Sequence, residues 1–408
     1  MMNRIDRSLN RMYLDSVMQI NAEILDRYPH LCFKKHWEIT PAVWYALGQC
    51  EAMITAIRET PLQPANRRRL LRLSLTRGAQ ATTAIEGNTL SEAEIEKVIQ
   101  GGSIAPSRAY QAREVENIVE AMNNLLRDVA VDDRVELISP ALIKSLHSAI
   151  GKGLGEHFDA IPGHLRQDER TVGPYRCPRH QDVPALVEYL CDWLQREFGF
   201  RSDNQSFCDA VVQAIVTHVY LEWIHPFGDG NGRVGRLVEF YILLRAGNPD
   251  IASHILSNHY NLTRDHYYRQ LQEARNSRDL TGFIGYAVQG YRDGLADSLR
   301  EIQRSHFEIA WRTFVYDRFA DLPYRKKTVF KRRRALILNM PIRSYFNMDE
   351  LLLNLPPKVR REYRNLSLAT LRRDLKCLQN MELVVERDHR FTPNADLLRH
   401  QMPTRRHS

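Results

Sequence analysis

The sequence lacks the cysteine patterns of a disulfide framework or a zinc ribbon. Its six cysteines are scattered over 408 residues and form no CxxC pair, which is the usage expected in a reducing compartment. No apolar run looks long enough to cross a bilayer, and the polar start of the chain lacks the apolar region of a signal peptide. These absences predict a cytoplasmic protein with no membrane partner.

Strand signals are also scarce. The sequence is 43% hydrophobic and 26% charged, which is typical of a globular protein with a sizeable core, and nearly all its long segments have helical periodicity. Residues 161–183 differ, because they are rich in Gly, Pro and Arg and include the extended stretch Thr171, Val172 and Gly173. They predict a loop with a small hairpin. The predicted fold is therefore mainly α, and His147, on an apolar helix face, is predicted to be a core residue.

The excess of basic over acidic residues is confined to the C-terminal fifth of the chain. The formal net charge is +8, but from Tyr324 onward about 20 Lys and Arg stand against about 8 Asp and Glu, so the remainder is slightly acidic. The charged residues 321–327 indicate a domain boundary. Beyond it, three helical patterns (331–340, 347–353 and 367–378) precede two short strands within 381–391, an order that predicts a winged helix-turn-helix domain.

The third helix of that domain carries three candidate DNA contacts, Arg372, Arg373 and Lys376. Basic side chains on such a helix suit the phosphates and major groove of DNA. Winged helices also serve as protein docking modules, so target recruitment and homodimerisation stay open as alternatives.

One run, His225-Pro226-Phe227-Gly228-Asp229-Gly230-Asn231-Gly232-Arg233-Val234-Gly235-Arg236, carries most of the chemistry. Its second half matches the dinucleotide fingerprint G-x-G-x-x-G, with Asp250 placed as a ribose-binding acid would be. That fingerprint must follow a strand, whereas residues 207–224 have a helical pattern. A Walker A loop is excluded as well, because no Gly-Lys-Ser/Thr follows the glycines.

The run instead fits a phosphate loop that opens a helix. Its glycines allow consecutive backbone N–H groups to turn toward an anion, and the helix N-terminus adds its dipole. Arg233 and Arg236 are three residues apart and share a helix face, so both can reach one polyphosphate. Asp229 fits the loop if it holds Mg²⁺. His225 has a suitable pKa to take a proton from a hydroxyl.

The run resembles the signature of the Fic family, H-x-F-x-(D/E)-G-N-G-R-x-x-R, at every specified position. Most characterised Fic proteins are mostly helical and transfer AMP from ATP to a Ser, Thr or Tyr hydroxyl of a target protein. The resemblance implies that His225 is the general base and Asp229 the Mg²⁺ ligand. It further implies phosphate contacts by five residues: Gly230, Asn231 and Gly232 at the α- and β-phosphates, Arg233 at the β-phosphate and Arg236 at the γ-phosphate.

An upstream segment, Thr82-Thr83-Ala84-Ile85-Glu86-Gly87, resembles the family's inhibitory motif (S/T)-x-x-x-E-(G/N). The resemblance implies that Glu86 pairs with Arg236. A carboxylate there would occupy the arginine fork meant for the γ-phosphate. The chain is therefore predicted to be autoinhibited, with Thr82, Glu86 and Gly87 as the inhibitory residues.

The resemblance implies two further parts of the site. Residues 163–184 resemble the flap that pairs with a target peptide as an added strand, with Thr171, Val172 and Gly173 as its contacts. Asn258, Tyr267 and Tyr268 are candidates for the adenine pocket, although tyrosines at helical spacing are often core residues.

The predicted architecture is a helical Fic core with a small β-hairpin flap, plus the C-terminal winged helix. Its parts are an N-terminal helical region with the inhibitory helix (1–110), the catalytic core (111–300), a helical linker (301–326) and the winged-helix-like domain (327–408). The predicted function is a protein adenylyltransferase with ATP and Mg²⁺, acting on a target protein or on itself. Removal of AMP by the same residues and nucleotide sensing by a DNA-binding regulator remain the alternatives.

Overall fold

The computed structural model describes residues 23–198, 206–320, 327–342, 344–363 and 366–399. The chain divides into two compact units, Met1–Arg300 and Glu301–Ser408, and each is described by itself. The predicted boundary at residues 321–327 lies almost entirely outside the described residues.

Helices dominate the first unit. After a short helical segment at 23–27, the elements in chain order are α1 (Pro41–Glu59), α2 (Pro64–Ala84), α3 (Glu92–Ile99), a 3-10 turn (Pro106–Arg108), α4 (Ala109–Ala130), α5 (Pro140–Gly151), a 3-10 turn (Gly155–His157), β1 (Thr171–Val172), β2 (Tyr175–Arg176), α6 (Val183–Phe198), α7 (Phe207–Ile224), α8 (Asn231–Arg245), α9 (Ile255–Leu262), α10 (Arg264–Ser277) and α11 (Thr281–Ala320). Helix α11 continues into the second unit.

Capping residues set the helix ends that matter for the site. Gly87 has φ +99°, a left-handed conformation that glycine adopts without strain, and it follows the turn after α2 as predicted. Ser91 and Glu94 then form the predicted capping box at the start of α3. Glu86 is thereby placed in a tight turn between two helices.

Helices α7 and α8 form the centre of the first unit. Fourteen of the 18 residues of α7 and all 15 residues of α8 are buried. Helix α7 is correspondingly apolar on nearly every side, whereas α8 also buries the charged side chains of Arg233, Arg236 and Glu239. The two helices lie on either side of the loop that carries His225, so the loop is held between two buried elements.

The apolarity of α7 overturns one prediction. Among the described helices, Phe207–Ile224 is long and apolar enough to cross a membrane by length and composition, so the expectation that no stretch meets this test was wrong. The physical reason is packing, because 78% of that window is buried inside the protein, and a core helix of a globular unit passes the same test.

The predicted hairpin is present. Strands β1 and β2 pair antiparallel, with Thr171 opposite Arg176 and Val172 opposite Tyr175. Gly173, at the turn, has φ +54°. Val172 is 44% exposed, so the apolar side chain of this short strand faces solvent.

The second unit consists of helices followed by a hairpin. Its elements are α12 (Lys327–Asn339), α13 (Met348–Asn354), α14 (Pro357–Tyr363), α15 (Leu368–Asn380), β3 (Val384–Arg387), β4 (Arg390–Pro393) and α16 (Asp396–Arg399). A buried apolar cluster joins them, including Trp311, Leu336, Leu351, Leu371, Leu375 and Phe391. Asp374, 1% exposed, accepts hydrogen bonds from Arg332 Nε at 2.8 Å, Arg333 Nε at 2.7 Å and the Tyr363 hydroxyl at 3.1 Å.

The differences from the predicted elements are few. Helix α8 begins at Asn231, two residues before the predicted start, because the left-handed Gly230 already ends the loop. Helices α9 and α14 were missed, since both are only seven or eight residues long and neither has a full apolar period.

Candidate functional site

The loop between α7 and α8 turns sharply at both ends. His225 ends α7 with φ +50° and ψ +62°, and Gly230 precedes α8 with φ +78°. Asn231 links the two ends, because its Oδ1 accepts from Phe227 N at 2.8 Å and its Nδ2 donates to Phe227 O at 2.9 Å. The Asn231 side chain therefore closes the loop, and its backbone N–H is the group left to face a ligand.

The N-terminus of α8 presents unpaired backbone donors. The first hydrogen bond of the helix runs from Val234 N to Gly230 O at 2.9 Å, so the N–H groups of Asn231, Gly232 and Arg233 have no partner within the helix. A side chain at Gly232 would collide with the Glu86 carboxylate and the Arg236 guanidinium. A Cβ here would displace the ends of these two side chains, and an anion fits where the Glu86 carboxylate now lies.

Glu86 and Arg236 form the predicted ion pair. Arg236 Nη2 donates to Glu86 Oε1 at 2.5 Å and to the Thr82 carbonyl at 3.0 Å. Arg236 is 1% exposed and Glu86 is 31% exposed in their side chains. Burial opposes ionisation of Glu86, but Arg236 outweighs it and keeps the pKa of Glu86 below its usual value. Both groups are therefore charged at neutral pH.

The guanidinium of Arg236 is only partly used. Its Nε and Nη1 are buried, and neither has a hydrogen-bond partner among the described residues. Buried donors without partners are costly, and an arginine fork is suited to two oxygens of a phosphate or carboxylate. The site is therefore incomplete with Glu86 alone and has capacity for further anionic oxygens.

Arg233 is engaged by two carboxylates. Its Nη1 lies 2.7 Å from Glu114 Oε1 and its Nη2 lies 2.6 Å from Asp229 Oδ1. Sequence reasoning missed Glu114, which lies on α4 and has no motif around it. Glu114 also accepts from Asn88 Nδ2 at 3.0 Å. Asn88, directly after the inhibitory segment, thus connects that segment to the first motif arginine.

His225 has the electrostatic state required of a base. Burial, followed by the charge of Arg166, lowers the pKa of His225 to about 4, although Glu86 acts in the opposite direction. The imidazole is therefore neutral at pH 7 and can accept a proton.

A second layer of buried polar groups lies around Arg236. Burial raises the pKa of Glu222 to about 7 and that of Glu239 well above its usual range, and Arg236 partly counteracts both shifts. The Tyr260 hydroxyl donates to Glu239 Oε1 at 2.8 Å. Neither glutamate was predicted, although Glu222 lies in the last turn of α7, three residues before His225.

The three adenine-pocket candidates occupy different environments. Tyr267 is 1% exposed and its hydroxyl lies 2.9 Å from His218 Nε2. Tyr268 is 43% exposed, and the charge of Glu86 is among the causes that raise its pKa, after burial. Asn258 lies half-buried on α9, where its backbone N–H donates to His254 O at 3.2 Å. Tyr268 is thus near the inhibitory carboxylate, and Tyr267 is a core side chain beside Arg236.

The hairpin is attached to the end of α7. The Tyr175 hydroxyl donates to the Trp223 carbonyl at 2.6 Å, and Arg170 O accepts from Cys177 N at 3.0 Å. His147 is fully buried, as predicted. Its Nδ1 accepts from Gly163 N at 2.9 Å and its Nε2 lies 3.0 Å from Asp229 O, so it joins the base of the hairpin segment to the loop between α7 and α8.

A resident metal site built by the protein alone is absent from the described residues, where no group of three or more His, Cys, Asp or Glu is arranged to hold an ion. Asp229 offers one carboxylate, 31% exposed, whose Oδ1 accepts from Arg233 and from Gly230 N at 2.5 Å. One partly exposed carboxylate fits a Mg²⁺ ion that takes its other ligands from water and phosphate oxygens.

The three candidate DNA contacts lie together in the second unit. Arg372, Arg373 and Lys376 are all exposed on α15, while Leu371, Leu375 and Leu378 of the same helix are buried. The helix therefore keeps an apolar face in the core and shows a basic face to solvent.

Part of the chain is similar in sequence to known proteins. Residues 137–243 match the profile of the Fic/DOC family. Protein adenylyltransferase fic-1 of Caenorhabditis elegans is 27% identical over 271 residues, 61% of this chain and 50% of that protein. A probable protein adenylyltransferase, aq_aa38 of Aquifex aeolicus, is 31% identical over 146 residues, 36% of this chain and 39% of that protein.

Solved structures show the same fold. A Fic family protein from Desulfovibrio desulfuricans aligns with a TM-score of 0.54 at 22% identity, covering 88% of this chain and 98% of that one. Fic-1 of C. elegans aligns with a TM-score of 0.53 at 22% identity, covering 64% and 73%. The chain is thus similar to Fic/DOC proteins in the sequence of residues 137–243 and in fold. It spans about half the length, or less, of the curated relatives that it matches.

Proposed function

We propose that the chain is a protein adenylyltransferase, which transfers AMP from ATP to a Ser, Thr or Tyr hydroxyl of a target protein or of itself. His225 accepts the proton of the hydroxyl, whose oxygen bonds to the α-phosphorus. The bond from that phosphorus to the bridging oxygen of the β-phosphate breaks, and pyrophosphate leaves. The names of the curated relatives support this reaction class.

The observation that carries the proposal is the incomplete anion site at Arg236. Two nitrogens of this buried guanidinium have no hydrogen-bond partner in the described part of the chain. The guanidinium lies near Gly232 at the N-terminus of α8, where backbone N–H groups and the helix dipole favour a phosphate. Gly230, Asn231 and Gly232 would hold the α- and β-phosphates through their backbone. Arg233 would contact the β-phosphate and Arg236 the γ-phosphate.

The remaining roles follow from the same placement. Asp229 would hold Mg²⁺, which neutralises charge on the phosphates when it is bound. Tyr268 and Asn258 would contact the adenine, and Tyr267 would support the pocket from the core. The hairpin residues Thr171, Val172 and Gly173 would pair with an extended target segment, and the exposure of Val172 supports this.

Glu86 would restrain the enzyme. Its carboxylate occupies the fork of Arg236 and lies against Gly232, which is the position proposed for a phosphate oxygen. ATP binding then requires the ion pair to break, so activity at rest is low.

The test is transfer of label from α-labelled ATP with Mg²⁺ to the chain itself and to lysate proteins. Glu86→Gly should raise labelling above the wild type, and Glu86→Gly with His225→Ala should abolish it. If the single variant labels no more than the double variant, the transferase proposal fails. If the same site removed AMP, Glu86→Gly would instead abolish loss of label from a modified protein.

We further propose that the second unit is a winged helix that binds duplex DNA through Arg372, Arg373 and Lys376. The exposed basic face of α15 supports this, as does the β3–β4 hairpin that follows it as a wing. In a mobility shift with duplex DNA, Arg372→Glu with Arg373→Glu should abolish binding, and Asp349→Lys, on another exposed position, should not. A shift that survives the double change refutes this assignment.

A further inference from the structure

His225 is held in a backbone conformation that its sequence context disfavours. It has φ +50° and ψ +62°, a region in which residues with a side chain are uncommon, and a following proline restricts the preceding residue further. Such a conformation persists only where the surrounding structure imposes it. The groups that bond to this peptide unit therefore determine where the imidazole lies.

Arg166 supplies those bonds. Its Nε donates to the His225 carbonyl at 2.7 Å, and its backbone N–H donates to the Pro226 carbonyl at 3.0 Å. The residue is 6% exposed, so the bonds are shielded from water. One residue thus fixes the carbonyls on both sides of the strained link between α7 and the loop.

The same guanidinium holds both ends of the hairpin segment. Nη1 donates to the Asp168 carbonyl at 2.6 Å, and Nη2 donates to the Pro178 carbonyl. These two carbonyls lie just before β1 and just after β2. All three guanidinium nitrogens therefore donate to backbone carbonyl oxygens. Such simultaneous bonding requires the rigid planar fork of arginine.

We propose that Arg166 is a positioning residue that couples the target-binding hairpin to His225. The base and the hairpin proposed to pair with the target segment are held by one side chain, so the bonds of Arg166 set their relative position. The proposal rests on the proposed function in assigning those two roles. His147 makes a second link of the same kind, from Gly163 to Asp229.

The coupling is tested in the Glu86→Gly background, where transfer is measurable. Arg166→Lys keeps the positive charge beside His225 but loses the planar fork. A misplaced base should lower kcat by about 100-fold, while KM for ATP stays within about threefold, because Arg166 contacts no residue proposed to bind phosphate. The apparent pKa of the acid limb of the pH–rate profile should not change, since the positive charge beside His225 is retained.

Arg245→Lys is the matched control. Arg245 is also a buried arginine, bonded to the Glu136 carbonyl at 3.2 Å and to Gln213 Oε1 at 2.8 Å, but it lies at the far end of α8. It should lower stability by a comparable amount and leave kcat within about twofold of the parent. If Arg166→Lys also leaves kcat within threefold, or lowers it no more than Arg245→Lys, the proposal is overturned.

Hydrogen exchange on the full chain separates this inference from the proposed function. Arg166→Lys should raise exchange in peptides from residues 168–178 and from 222–230 together, whether or not the chain transfers AMP. Faster exchange in the hairpin with an unchanged His225 loop would overturn the coupling. If the Glu86→Gly variant transfers no AMP, the proposed function is overturned. The hydrogen-exchange result then still tests whether Arg166 couples the hairpin to the His225 loop.

Discussion

Replacing Glu86 with glutamine should raise the affinity for nucleotide. The change keeps the length of the side chain and a hydrogen-bond acceptor for Arg236 but removes the charge. A hydrogen bond between charged groups contributes about 1.5–3 kcal/mol, and a phosphate that displaces Glu86 must overcome it. Because the Glu86 side chain is 31% exposed, water offsets part of that energy and the lower end of the range applies. We therefore expect the affinity for nucleotide to rise by about tenfold.

The measurement is titration calorimetry with a non-hydrolysable ATP analogue and Mg²⁺. Glu92→Gln is the control, since Glu92 is exposed and its recorded ion pair is with Arg77, at 3.5 Å. Combining Glu86→Gln with Arg236→Ala should erase the gain, because both changes act on one interaction. An affinity for Glu86→Gln within twofold of the wild type, or an equal gain for Glu92→Gln, would refute the competition between carboxylate and phosphate.

Three further outcomes follow. Glu114→Gln should strengthen nucleotide binding by about threefold in calorimetry, because it removes a charge that competes for Arg233, which still has Asp229; weaker binding would mean that Glu114 orients Arg233 instead. Asp374→Ala should destabilise the second unit by about 3–5 kcal/mol in denaturant unfolding, since two arginines and a tyrosine lose a buried acceptor; a cost under 1 kcal/mol contradicts this. Burial lowers the pKa of His254 to about 4, so its contribution to stability is complete above about pH 6.5 and is lost as pH falls toward 4. Relative to His254→Asn, the unfolding free energy of the wild type should fall by about 1.4 kcal/mol per pH unit across that window, and parallel pH curves would refute the assignment.

The parts of the site that were predictable are those whose chemistry lies in a short stretch of chain. The loop from His225 to Arg236 combines a base, an acid, glycines and two arginines at fixed spacing, and neighbours in sequence on a loop and a helix turn are neighbours in space. Glu86 was predictable for another reason, since residues 82–87 resemble the inhibitory motif of the family whose signature the His225–Arg236 run matches. The hairpin at Thr171 followed from its Gly- and Pro-rich composition.

The parts that were missed depend on contacts between distant segments. Glu114 is 119 residues from Arg233, and nothing around it in α4 distinguishes it from a solvated glutamate. Arg166 has no motif either, because its partners are backbone carbonyls, which every sequence possesses. Asn88 follows the motif that contains Glu86 and is not part of it, yet its amide bonds to Glu114 and to the Gln111 carbonyl.

The sequence by itself determined which chemical groups the His225 loop carries and where the helices around it begin and end. It also indicated that the carboxylate of Glu86 is available to pair with Arg236. Those properties are local, since they depend on residue type and on spacing within a few turns. Only the tertiary structure decided the protonation, the hydrogen-bond partners and the positions of these groups. Burial makes His225 neutral, and two nitrogens of Arg236 are left without hydrogen-bond partners among the residues that the structure describes. Packing of α2 against α8 places Glu86 in the anion position, and Arg166 holds His225 in its strained conformation. These states depend on desolvation and on groups far apart in the chain, which no local pattern encodes.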